Sequence, residues 1–345
     1  MHNSLKTFSQ KCALALTLGL VFLVIGYGLY LTYRVILLVA AGILAGVFFD
    51  LLARPLTQHT RLPRKTAVLS VVLGLLAIAS LGGVLMYPLI SEQIQGLGEQ
   101  LPKAWSQLRG QLEQYTLLKE LLPDQSNPQA LLKELSVFTR AQDLFSVLGD
   151  LFSAAVIIFF MGLYLALEPK IYKGGLYRLL PESSRERWST FLKTTHEDLR
   201  GWLLGRLLSM ALIALVIGTG LFLLEIPMGI FLGILAGLLG FIPYIGPLIS
   251  AVPPLIFAAG ESMHTLIWVG GLFLGAQLIE SYILTPLIQK RAVALPPALT
   301  LGVLAIFSTA AGLIGSALAA PLLVVALVAI RVFYLQDADE HDAEV

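Results

Sequence analysis

Residues 228–257 read MGIFLGILAGLLGFIPYIGPLISAVPPLIF, an apolar stretch long enough to cross a bilayer. It carries Pro243, Gly246, Pro247, Pro253 and Pro254 where a continuous helix needs backbone donors. An internal proline lacks an N–H and frees the carbonyl four residues earlier. The carbonyls freed in this way belong to Leu239 and Pro243. Lipid cannot bond them, so the stretch is predicted to be a broken helix or a hairpin. Irregular backbone survives at membrane depth only against protein or water, which predicts that the stretch lines a pathway.

The rest of the chain agrees with a membrane setting. Of 345 residues, 57% are hydrophobic and only 13% charged, against about 25% charged in soluble domains. This predicts an all-α polytopic membrane protein. A net charge of +1 offers nucleic acid no basic surface. The one cysteine, Cys12, rules out an internal disulfide and a cysteine-built metal site, and the five histidines lack ligand spacing. No Walker, HExxH or GxSxG sequence occurs, so neither an enzyme nor a cofactor-binding protein is expected.

Hydropathy marks about eight membrane segments: 12–33, 35–53, 67–90, 148–167, 203–224, 228–257, 266–287 and 299–332. Arg34 is read as a tight turn between the first two, and Gly42 and Gly46 give the second a close-packing face. Arg54, Arg61, Arg64 and Lys65, and later Lys170, Lys173, Arg178, Arg185 and Arg187, are expected on the cytoplasmic side with both termini. Residues 91–147 are an amphipathic helical insertion on the outer side, for packing on its own subunit or on a neighbour. Ser183 and Glu186 have capping-box spacing, and the residues after them read as a surface helix on the membrane, leading into the segment at 203–224. The domain plan is a membrane scaffold at 1–90, the insertion at 91–147, a helix and basic loop at 148–200, a transport core at 201–334 and an acidic tail at 335–345.

The segment at 299–332 is also overlong, about 50 Å as one helix against a hydrocarbon core of about 30 Å. Gly312, Gly315 and Pro321 interrupt it. If both broken segments are re-entrant hairpins, Lys290 and Arg291 fall inside; if both cross, these two fall outside. The positive-inside rule favours the hairpins. Residues 201–257 and 266–332 then form an inverted pair. Small residues recur every four positions at Gly229, Gly233 and Gly237, and again at Ala311, Gly315 and Ala319, which predicts close helix packing.

Polar groups enter the membrane in few places. Gln277, Glu280 and Ser281 are read as one helix face, and a carboxylate at that depth marks a substrate or ion pathway unless it serves as a helix-end salt bridge, for which Lys290 and Arg291 are the candidate partners. Tyr244, between the prolines of the first broken segment, is either an interface aromatic or a substrate contact.

Several of these motifs resemble one family. Phe241-Ile242-Pro243-Tyr244-Ile245-Gly246-Pro247, Ile279-Glu280-Ser281-Tyr282-Ile283-Leu284-Thr285-Pro286, Arg291-Ala292-Val293 to Leu295-Pro296-Pro297, and Gly312, Gly315 and Pro321 resemble the signatures of the autoinducer-2 exporter (AI-2E) family of bacterial permeases. The resemblance implies a homo-oligomeric inner-membrane secondary transporter, with a pentamer among its assemblies. It links some members to autoinducer-2 efflux and others to cation/proton exchange. Ser308 stands where the family often has glycine, and Ser281 where it usually has asparagine.

These readings set the expectation of a transporter of a small solute or monovalent cation, proton-coupled through Glu280. Pro243, Tyr244, Gly246, Pro247, Gln277, Glu280, Ser281, Gly312 and Gly315 are its expected pathway. The competing expectations are a passive oligomeric channel and a membrane scaffold that holds a partner through residues 91–150.

Overall fold

The computed structural model describes residues 32–60, 62–82, 84, 141–284 and 295–335; of 141–148, 150 and 151 it describes only the backbone. Among the described residues all regular structure is helical: α1 (Thr32–His59), α2 (Arg64–Gly82), α3 (Ala141–Leu167), α4 (Pro169–Leu179), α5 (Arg185–Leu223), α6 (Gly229–Leu239), α7 (Ile245–Glu261), α8 (Met263–Ile279) and α9 (Pro297–Ile330). Five helices in this set are long and apolar enough to cross a membrane, and a sixth span is counted if α3 and the strongly bent α4 are taken together. The insertion expected at 91–147 lies outside the described residues but for its last few. So do the acidic tail, Lys290, Arg291 and nearly all of the first membrane segment.

Two sequence expectations are corrected here. Arg34 does not form a turn: it lies within α1, which is helical throughout the described residues Thr32 to His59. The surface helix expected after Ser183 is not separate from the next membrane segment, because both belong to the 39-residue α5. No proline or glycine pair interrupts residues 185–223, and the apolar stripe of the first half continues into the second. At 1.5 Å per residue α5 is about 58 Å long, so its first half stands clear of a hydrocarbon core of about 30 Å.

α5 is the axis of the molecule. Leu199, Trp202 and Leu203 pack with Leu37, Leu44, Val47 and Leu51 of α1 and with Leu318, Val324 and Val328 of α9. Farther along, Ile213, Ile217 and Leu221 pack with Leu232 and Ala236 of α6, Phe257 and Ala258 of α7, and Val269 and Ala276 of α8. The first helices form a separate group around Phe49, Ala53, Val68, Val72 and Ala166. There α3 enters the groove of α1: a Cβ on Gly46 would lie 3.3 Å from the Gly162 carbonyl.

The stretch at 228–257 folds back on itself. Its arms are α6, 11 residues, and α7, 17 residues, about 16 and 25 Å long. Residues seven apart in a straight helix are separated by about 10 Å along the axis, yet the Cβ direction of Gly246 meets the Leu239 carbonyl oxygen at 1.9 Å. Only glycine fits there. The break spans residues 240–244 alone. Pro247 falls in the first turn of α7, where its missing N–H costs nothing, while Pro253 and Pro254 remain inside the helix. α9 reverses in the same way. Ala311 and Gly312 leave helical geometry, Gly312 at φ 57° and ψ −136°, and the Cβ direction of Gly315 meets the Phe307 carbonyl oxygen at 2.0 Å. Its length is therefore divided between two antiparallel arms.

The expected unbonded carbonyls are corrected too. The Leu239 oxygen accepts from Ile242 N at 3.0 Å and the Pro243 oxygen from Ile245 N at 2.7 Å. A tight turn brings its own donors within reach, so the two groups that proline frees are satisfied locally.

Candidate functional site

The bend of the first hairpin lies against the arms of the second. Ile242 of the first is buried against Leu304 and Ala319 of the second, with Phe241, Ile245 and Phe307 around them. α5 reaches the same place through residues one turn apart. Trp202 meets Phe241 edge-on, with centroids 6.0 Å apart. Arg206 extends past it to two acceptors.

Arg206 Nη1 donates to Glu280 Oε1 at 2.8 Å, and Arg206 Nε donates to the Phe241 carbonyl at 3.3 Å. The side chains are 12% and 11% exposed, so the pair is withdrawn from solvent. Isolated charges at such a place cost several kcal/mol each, and their mutual attraction offsets this only when the geometry is good. Here one guanidinium bridges three elements: its own α5, the tip of the first hairpin, and the end of α8. Glu280 opens a single π-helical turn, Glu280–Leu284, that follows α8. Such insertions re-aim a side chain and recur at functional sites.

Tyr244, at the tip, adopts φ 65°, a left-handed conformation that strains a bulky residue by roughly 1–3 kcal/mol. The residue is about half exposed. Pro243 is partly buried in the same turn, with Gly246 and Pro247 starting the returning arm. On the second hairpin, Gly312 makes the turn and Gly315 the close crossing. Ser308, where the family often has glycine, lies before the turn and bonds the Ala305 carbonyl within the helix.

The structure separates the polar residues at the end of α8 and in the turn that follows it. Glu280 is buried, whereas Ser281 is exposed and its Oγ lies 3.5 Å from Gln277 Nε2. Neighbouring helical positions point about 100° apart, so adjacent Glu280 and Ser281 cannot share a face. Lys290 and Arg291 lie outside the described residues, and Glu280 pairs with a cation that the sequence reading does not name, Arg206. Sequence reasoning passes over this arginine, although an arginine inside one apolar stretch and a glutamate inside another is the signal of such a pair.

Gly229, Gly233 and Gly237 line the side of α6 that faces α5. Added Cβ atoms would meet Leu221 C at 2.8 Å, Gly218 Cα at 2.2 Å and Met210 O at 2.6 Å respectively. This holds the hairpin at backbone contact with α5, close enough for Arg206 to reach its tip.

A second polar group lies at one end of the helices. Asp50 of α1 pairs with Arg64 of α2 at 2.6 Å and with His196 of α5 at 3.1 Å. Lys65 pairs with Glu168, and Arg331 lies 3.8 Å from Asp198. Arg206 is eight residues beyond Asp198, about 12 Å along α5. Among the described residues no cluster of His, Cys, Asp and Glu could hold a metal ion.

Residues 20–334 match the family described as AI-2E family transporter. The chain is 26% identical to the Bacillus subtilis protein named "Putative transport protein YrrI" over 87% of each chain. It is 28% identical to a Thermotoga maritima protein named "Putative transport protein" over 72% of this chain and 76% of that one. A second Bacillus subtilis relative, named "Putative transport protein YueF", is 21% identical over 86% of this chain and 82% of its own.

Proposed function

The chain belongs to the AI-2E transporter family, and we propose that it is a secondary transporter working by alternating access around the junction of Arg206, Glu280 and the Phe241 carbonyl. Its cargo in this reading is a small, weakly polar solute of the autoinducer-2 kind, or a monovalent cation.

The observation that carries the reading is the sharing of Arg206 between a carboxylate on α8 and a carbonyl at the hairpin tip. Both acceptors are oxygens. A cation can take the place of the guanidinium against them, and a hydroxylated solute can donate to them. Either event releases Arg206 from the tip, and the hairpin then loses a tether to α5 while its glycine face remains a surface on which it can slide. Proton coupling through Glu280 belongs to the same proposal.

The basic residues support an orientation. Arg64 and Lys65 meet Asp50, Glu168 and, through Asp50, His196 at one end of the helices. Under the positive-inside rule this end faces the cytoplasm of a bacterial inner membrane. Both termini are assigned to that side. Homo-oligomeric assembly, with the pentamer as first candidate, completes the proposal and is read by native mass spectrometry.

The test is transport in proteoliposomes with a labelled panel that includes autoinducer-2 and sodium. Saturable flux that responds to a pH gradient, and loses that response in Glu280→Gln, supports alternating access with coupling. Unsaturable flux with single-channel steps in planar bilayers would identify a passive channel instead. Silence toward the whole panel, with a partner retained through residues 91–150, would identify a scaffold.

A further inference from the structure

We propose that α4 is an interfacial anchor that lies in the plane of the cytoplasmic leaflet and selects anionic phospholipid. This inference is independent of what the protein transports.

The chain turns by 86° between the apolar part of α3 and α4, with Glu168 between them. If α3 crosses the bilayer, α4 cannot continue across and must run along the surface. It also begins at the end assigned to the cytoplasm, because Glu168 pairs with Lys65 at the start of α2. At 100° per residue, Ile171, Tyr172, Gly175, Leu176 and Leu179 share one side of α4, and Lys170, Lys173 and Arg178 share the other.

Most of the apolar side is open among the described residues. Ile171 is 63% and Leu179 83% exposed, no residue of α4 is buried, and a Cβ at Gly175 would meet nothing within 4 Å. A short helix with one open apolar side, cations on the other and a membrane span joined to it has the composition of a helix that rests among headgroups. Three cations on the polar side match a negatively charged leaflet, which attracts basic residues near its surface.

A place for a headgroup lies at the far end of the helix. An open cleft of about 460 Å³ is lined by Tyr177, Arg178, Arg185, Glu186 and Ser189. Arg185 is held there by the Tyr177 carbonyl at 3.1 Å and by Glu182 at 3.5 Å. The two arginines suit a phosphodiester, while Glu186 and Ser189 can accept from a hydroxylated headgroup. Phosphatidylglycerol has both features.

The experiment uses the full chain in nanodiscs of phosphatidylcholine, with and without phosphatidylglycerol. Spin labels are placed at Ile171→Cys, Lys173→Cys and Leu179→Cys in a Cys12→Ser background, and their collisions with oxygen and with a water-soluble nickel chelate are compared. The expected result is oxygen-accessible, chelate-protected labels at 171 and 179 and a chelate-accessible label at 173, with deeper insertion when phosphatidylglycerol is present. In the triple variant Lys170→Gln, Lys173→Gln and Arg178→Gln, the ratio of phosphatidylglycerol to phosphatidylcholine retained through purification should fall severalfold at an unchanged Tm. Chelate access at 171 and 179 would overturn the proposal, because the helix would then stand in water. Protection from both reagents would overturn it in favour of a protein cover. Equal insertion without phosphatidylglycerol, or an unchanged lipid ratio in the triple variant, would remove the anionic selectivity that the proposal asserts.

Discussion

Arg206 and Glu280 are 74 residues apart in the chain and 2.8 Å apart in space, and the same guanidinium holds the Phe241 carbonyl at the bend of the first hairpin. Three elements therefore share one cation. A change at either charged residue should be felt at the hairpin as well as at the pair.

Removing one partner strands the other charge in a low-dielectric place. Arg206→Ala or Glu280→Ala is expected to destabilise the protein by about 3–5 kcal/mol, read as a lower Tm in detergent. The exchange Arg206→Glu with Glu280→Arg should recover part of that Tm but not transport, because the carboxylate cannot donate to the Phe241 carbonyl. An unchanged Tm in both single variants would show that the pair holds nothing together.

Gly233 stands against Gly218, and its missing side chain is what lets α6 lie on α5. Gly233→Ala is expected to cost about 1–3 kcal/mol through overpacking and to slow transport by displacing the tip from Arg206. Gly271→Ala is the control, since a Cβ there meets nothing within 4 Å among the described residues. Equal thermal stability in the two variants would contradict the close packing.

Gly312 has open space around it and a backbone conformation that side chains resist. Gly312→Ala should therefore destabilise by roughly 1–3 kcal/mol through backbone strain alone. Gly302→Ala, in the straight arm before the turn, should be neutral or stabilising, since alanine is the better helix former. A thermal-melt comparison in which Gly302→Ala loses as much as Gly312→Ala would place the cost elsewhere.

With both broken segments reversing, the orientation proposed above predicts a cytoplasmic position for residue 289. A single cysteine, Gln289→Cys in a Cys12→Ser background, should be labelled by a membrane-impermeant maleimide from the cytoplasmic face and protected from the periplasmic one. Periplasmic labelling would reverse the topology proposed above.

Glycine geometry extended the sequence reading farther than hydropathy did. The run Gly240 to Tyr244 and the pair Ala311–Gly312 break their segments close to where the prolines and glycines pointed, and Gly246 and Gly315 close the two bends. Hydropathy placed the apolar segments but misplaced their joints. It read a turn at Arg34 and a separate surface helix before residue 203, because a charge lowers local hydropathy without interrupting backbone hydrogen bonds. The site was legible only in part. Glu280 and the 241–247 turn stood out as polar or irregular groups inside apolar sequence, while Arg206 was masked by the basic run that precedes it.

The sequence alone determined the membrane setting, the helical class and the residues at which the backbone can break, because a proline's missing N–H and a glycine's missing Cβ are properties of single residues; Pro253, Pro254 and Pro321 nevertheless remain inside helices. The tertiary structure decided the rest: that both segments reverse, that proline-freed carbonyls are bonded within the turn, and that Glu280 faces Arg206 while Ser281 faces outward. Those outcomes depend on interactions through space, which weaken with distance between groups and bear no fixed relation to position along the chain.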